Sequence, residues 1–279
     1  MKRLALVLLL ASCERPAPPP SGVPVVDSRG KTVLVPARPE RIVSLAPSTT
    51  ELLFAVGAGA QVAGVTSYCD YPEAAKAKPQ VGNILLDWER LAGLRPDLIL
   101  LAPSISKKTC AELEAKGYAV FGVDPSSFEE IAKALERVGE LTGHGEEGRS
   151  AAAALRARVA KRRVEPGPTF YFEHSSDPLG TTGPESYAGE ALRLAGGRNI
   201  FEGGWRTVDW EEVMAKDPEL ILIAHDRKEG LERRAGWQGL RAVKNGRVRF
   251  VSKEHFVYPT PRLADGLEEA AKVFHEKNP

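Results

Sequence analysis

The chain has 279 residues, 43% of them hydrophobic, enough to bury one large core or two modest ones. Its 38 basic and 37 acidic residues leave a formal charge of +1, so no broad field draws it to nucleic acid or to an acidic membrane.

In chain order, Met1-Lys2-Arg3 is a basic start, followed by the apolar run Leu4–Ala11. That run is too short to span a bilayer but suits the hydrophobic region of a signal peptide. Leu10-Ala11-Ser12-Cys13 reads as a lipobox, with Cys13 as the lipidated residue, so residues 1–13 are expected to direct export and anchoring. The Pro-rich stretch 14–22 reads as a stiff tether. An oxidising compartment would permit a disulfide between Cys69 and Cys110, the alternative being two buried thiols.

The alternation over Pro24–Pro36 predicts a hairpin, and Arg41–Ala46 a buried strand. Ser48-Thr49-Thr50-Glu51 fits a capping box for the following helix, stopped at Gly57 or Gly59. Strand and helix patterns then alternate to a helix over Phe128–Leu141 that ends near Gly143. The stretch Glu146–Arg163 carries Ala151–Ala154, acidic residues at its start and basic ones at its end. Both features favour a helix, about 27 Å long at 1.5 Å per residue. Alternation restarts at Thr169–Glu173 and closes on a helix over Leu263–Lys277.

The run from Asp87 to Ala102 aligns without a gap on that from Asp209 to Ala224, with eight of sixteen positions identical. Such a repeat implies two similar lobes. The reading is therefore α/β, with two Rossmann-like lobes of mostly parallel sheet, residues 23–143 and 166–279, joined by a bridging helix over 144–165. Ligands of such folds lie beyond the carboxyl ends of the strands, here in a cleft between lobes.

No Walker motif, nucleophile elbow or paired-cysteine metal spacing occurs, and Gly57-Ala58-Gly59 follows a helix where a phosphate cradle would follow a strand. All five histidines lie at or beyond His144, so a first lobe could offer only carboxylates to a metal. An enzyme or metal carrier is thus the weaker reading, and no catalytic residue is assigned. Tyr68 and Tyr71 in one lobe, with Trp205, Phe256 and Tyr258 in the other, lie at predicted strand ends. Together they suit a concave apolar site for a large planar ligand. In the repeated Asp-Trp-Glu, each tryptophan suits core packing. Glu89 and Glu211 would stand at equivalent exposed places, fit either for docking a symmetric partner or for complementing a helix dipole.

The run Asp27-x-x-Gly30 with Pro36-x-x-Pro39-x-Arg41 through Glu51 resembles the helical-backbone substrate-binding proteins of ABC importers. That family takes up cobalamin, ferric siderophores and haem. Gly64–Pro72, Gly183–Ser186, Gly196–Phe201 and Trp205 are similar to its cobalamin-binding branch. The resemblance implies a corrinoid ligand facing Tyr68 and Trp205, with haem or a ferric siderophore as alternatives. Ser48, Tyr71, Glu185, Phe256, Tyr258 and Arg262 complete the expected ligand-facing set. Tyr68 or Tyr71 could ligate haem iron, and Arg206 with Arg262 could face an anionic complex. The branch's further indoles are replaced near Ile84 and Ala102. The resemblance also implies that Glu89 and Glu211 dock on a permease dimer. The expected protein is a monomeric carrier without a cofactor, in the periplasm or on the outer face of the cytoplasmic membrane, and held there by lipid.

Overall fold

The computed structural model describes residues 22–83, 85–104, 107–161, 165–227 and 230–276. The expected signal, Cys13, most of the tether, Ile84, residues 162–164 of the expected bridge and Lys277 of the expected closing helix lie outside the described residues.

The first lobe begins with the expected hairpin, β1 (Gly22–Val26) against β2 (Thr32–Pro36). It continues through β3 (Ile42–Ser44), α1 (Pro47–Ala55), β4 (Val62–Val65), α2 (Glu73–Lys76) and α3 (Trp88–Leu94). β5 (Leu98–Leu101), α4 (Lys107–Ala115), β6 (Val120–Gly122) and α5 (Phe128–Thr142) complete it. The sheet is parallel, in the order β4-β3-β5-β6. Its strands are apolar runs because helices cover both faces. Alternate side chains serve alternate layers: Ile42, Leu98 and Leu100 enter the large central core, and Val43, Ile99 and Leu101 the outer one.

The capping box does not form. α1 begins at Pro47, where the missing N–H costs nothing. The Thr49 and Thr50 hydroxyls donate back to the Ala46 carbonyl at 3.0 and 3.1 Å. Glu51 turns instead toward the other lobe.

The bridge is α6 (Gly145–Ala160), which packs antiparallel along α5. The two helices touch at Gly139 and Gly148, where a side chain on either would meet the other's backbone. Near its end Arg156 pairs with Glu129 and Glu136 of α5. Two residues on, Arg158 turns to Asp265 and Glu268 of the last helix. The bridge is thereby tied to both lobes.

The second lobe runs β7 (Thr169–Glu173), β8 (Ser175–Ser176), β9 (Leu179–Thr182), α7 (Tyr187–Leu194), β10 (Arg198–Asn199) and β11 (Trp205–Thr207). It ends with α8 (Trp210–Lys216), β12 (Leu220–Ile223), α9 (Arg241–Lys244), β13 (Val248–Phe250) and α10 (Leu263–His275). Its main sheet is parallel, in the order β10-β7-β12-β13. A small antiparallel sheet, β11-β9-β8, is an addition that the alternating pattern did not indicate.

The repeat is visible in three dimensions. α3 and α8 both stop at a left-handed residue that precedes a proline, Arg95 (φ 46) and Asp217 (φ 39). The next carboxylate then clamps a neighbouring strand. Asp97 accepts from Glu40 N and Arg41 N at 2.7 and 3.1 Å, and Glu219 from Thr169 N at 2.7 Å. The repeated tryptophans pack as expected, Trp88 beneath Lys116 and Trp210 against Trp237 at 5.8 Å.

One apolar core runs through both lobes, from Ile42 and Leu100 through α5 and α6 to Phe170, Leu222 and Phe274. Opening the lobes would break this core, so the bridge is stiff.

The disulfide between Cys69 and Cys110 is not formed. Both thiols are free and buried, on opposite faces of the first sheet. Cys69 lies 3.2 Å from the Thr66 hydroxyl, and Cys110 contacts Arg29 and Glu114.

Candidate functional site

A cavity of about 530 Å³ opens between the lobes, where the carboxyl ends of both sheets face each other. The first lobe contributes Pro47 and Ser48 after β3, Ala102 and Ser104 after β5, and Asp124 after β6. The second contributes His174 after β7, Glu185 and Tyr187 at the start of α7, Trp205 on β11, and Tyr258 before α10.

Trp205 is set by the small antiparallel sheet, paired across from Thr182. Its indole, 39% exposed, is held edge-on by His174 at 4.8 Å and tilted against Tyr187 at 5.4 Å. Burial, then the neighbouring His225, hold the His174 imidazole below its ordinary pKa. Behind it, fully buried Glu173 takes two hydrogen bonds from Arg234, at 2.6 and 2.7 Å, and lies 2.8 Å from His225 Nε2. Burial and nearby Asp124 push the Tyr187 phenol up, and its hydroxyl donates to the Val257 carbonyl at 2.9 Å. Both rings are therefore neutral at pH 7.

Of the residues expected to face a ligand, Ser48, Glu185, Trp205 and Tyr258 stand in the cavity wall. Tyr68 and Tyr71 lie on the loop after β4, about half exposed, and are not among the wall residues. That loop approaches the wall: burial raises the Tyr258 pKa first, and Asp70 and Cys69 add to the rise. Phe256 is not ligand-facing. It is fully buried against Phe172, ring centroids 5.5 Å apart, because the second lobe needs it in its core.

The two arginines do not face the cavity. Arg206 pairs with Glu212 at 3.1 Å outside it. Arg262 binds Glu51 of the first lobe and covers the Tyr71 ring. His174, Tyr187 and Asp124 were missed as wall residues, although each directly follows a strand or opens a helix, the position from which such folds bind ligands.

Among the described residues no group of three or more potential metal ligands occurs, and no helix is long and apolar enough to cross a membrane.

A family model described as "Periplasmic binding protein" matches residues 42–254. The chain belongs to that family. It is a helical-backbone substrate-binding protein of the ABC-importer type, a carrier and not an enzyme. It is 36% identical to a vitamin B12-binding protein of Photorhabdus laumondii over 203 residues, 69% of this chain and 74% of that one. It is 30% identical to the "uncharacterized ABC transporter substrate-binding lipoprotein YvrC" of Bacillus subtilis, over 98% of this chain and 95% of the relative. Among solved structures it is similar to the periplasmic vitamin B12-binding protein BtuF of Vibrio cholerae. That likeness has a TM-score of 0.71 and 27% identity, and covers 85% of this chain and 96% of that one.

Glu89 and Glu211 stand in the first turns of α3 and α8, one on each lobe, exposed and with no hydrogen-bond or ion-pair partner among the described residues. A substrate-binding protein with two matched free carboxylates can meet a partner with paired basic sites.

Proposed function

We propose that the protein captures a corrinoid of the cobalamin class in the interlobe cleft and hands it to an ABC permease dimer. The cavity wall carries this reading: it is mainly apolar, presents the Trp205 indole, and has no lysine or arginine among its described residues. A corrin offers a broad apolar face rimmed by neutral amides, which such a wall and its few hydroxyls can match. Haem propionates, and the anionic class of ferric siderophores, carry charges that this wall would leave unneutralised. The vitamin B12-binding relative supports the same ligand.

Glu89 and Glu211 dock on the permease in this reading, and Tyr68 meets the ligand at the rim. Lipid on Cys13 holds the protein outside the cytoplasmic membrane, as the name of the Bacillus relative supports. Haem is the second reading, favoured by the exposed phenols of Tyr68 and Tyr71, either of which could ligate iron.

The test is calorimetric titration of the purified protein with cyanocobalamin and, separately, haemin. Saturable one-to-one binding of cobalamin at micromolar or tighter affinity is expected. Saturation by haemin alone would move the substrate to iron acquisition.

A further inference from the structure

Resting on that reading, we propose that the cleft prefers corrinoids that lack the phosphate-linked nucleotide, the cobinamide class, over complete cobalamin. Two carboxylates stand in the cavity wall, Asp124 from the first lobe and Glu185 from the second, and no lysine or arginine among the described residues joins them there. Asp124 is held by Ser104, whose amide and hydroxyl donate to it at 2.8 and 2.9 Å, and neither bond cancels its charge. The Glu185 side chain is exposed and has no hydrogen-bond or ion-pair partner among the described residues.

The helix ends at the cleft carry partial positive charge, each smaller than that of one carboxylate, and each has lost part of its N–H set. The α5 end is occupied by a third carboxylate, Glu190 of the opposite lobe, which accepts from Phe128 N at 2.8 Å. α1 opens with Pro47, which has no N–H to offer, and at α7 the Ser186 hydroxyl accepts from Gly189 N at 3.0 Å. The Arg262 guanidinium is not in the wall and is paired with Glu51. Two whole negative charges set against these partial positive ones leave the wall net negative.

A corrin ring with trivalent cobalt, one cyanide and one water carries a net charge of +1. Cobalamin adds a phosphodiester of charge −1 on the nucleotide loop. The bare corrinoid would be attracted by the cleft, and the phosphodiester would be repelled.

The experiment compares aquacyanocobinamide with cyanocobalamin by calorimetry on the purified chain, at low salt and at about 0.5 M salt. Cobinamide should bind about fivefold tighter at low salt, the effect of a unit charge acting through partly aqueous surroundings. High salt should shrink that preference, and Asp124→Asn with Glu185→Gln should shrink it further. Equal affinities, tighter cobalamin, or a preference indifferent to both salt and the double variant would overturn the inference while leaving corrinoid binding intact. If neither corrinoid binds, the proposed function falls and takes this inference with it.

Discussion

Arg262 of the second lobe closes on Glu51 of the first, its Nε 2.9 Å from Oε2 and its second nitrogen on Oε1. Glu51 is almost fully buried and Arg262 is partly buried, and the same guanidinium lies 4.1 Å over the Tyr71 ring. Burial opposes the arginine's charge, but Glu51 outweighs it and raises the Arg262 pKa. One pair thus joins the lobes and fixes the loop at the cleft rim.

Removing Glu51 leaves the Arg262 charge unpaired in a partly buried site. Glu51→Gln should lower the free energy of unfolding by about 3 kcal/mol. Glu51→Leu combined with Arg262→Met, which removes both charges, should recover most of that loss. Urea denaturation of the three proteins measures both effects, and an unchanged midpoint in the single variant would contradict the role of the pair.

Trp205→Ala should weaken ligand binding by about 2–3 kcal/mol, the scale of a central aromatic anchor. The fold should survive, because the indole is partly exposed and sits on a short peripheral strand. Calorimetry read beside circular dichroism separates the two outcomes.

Glu89→Lys with Glu211→Lys should reduce affinity for the permease at least about thirtyfold and abolish transport, with ligand affinity unchanged. Pull-down on permease in lipid discs, together with ligand titration of the free variant, checks both halves. Undiminished transport would sink the docking role.

Asp27 ties the hairpin to the sheet edge. Its carboxylate accepts from the backbone of Arg29, Lys31 and Gly122 at 2.9, 3.2 and 3.0 Å. Burial pushes its pKa up, but Arg29 and these backbone donors outweigh it, so the folded value lies below the ordinary one. Its contribution is therefore present above the unfolded pKa of about 3.9 and is lost as pH falls through the folded value. Asp27→Asn should lower stability at pH 7 and flatten the acid limb below about pH 4. Urea midpoints at neutral pH and in acid give the comparison; a variant with the parent's full acid loss would disprove the assignment.

At Gly139 a Cβ would lie 2.7 Å from the His144 carbonyl oxygen and 2.9 Å from Gly148 Cα. Alanine normally stabilises a helix interior relative to glycine by about 1 kcal/mol. Here Gly139→Ala should instead cost about 1–3 kcal/mol, because it separates α5 from the bridge. Thermal melts would show the sign.

The sequence by itself determined the two-lobed α/β plan, the bridge, and the repeated helix that places Glu89 and Glu211. All of these follow from local periodicity, turn chemistry and internal repetition, which a chain carries regardless of its distant contacts. Trp205 and Tyr258, which the sequence named as ligand-facing, line the cavity, whereas Phe256, named by the same reasoning, does not. An aromatic at a strand end looks alike whether it faces a cavity or a core, and only packing against Phe172 decided that case. The sheet that carries Trp205 was hidden because its strands are only two to four residues long. Glu51 read as a local cap because its true partner lies 211 positions away. The two thiols read as a possible bridge because spacing is blind to which face of a sheet each one occupies. Tertiary structure decided these points: each depends on which distant side chains share a buried volume.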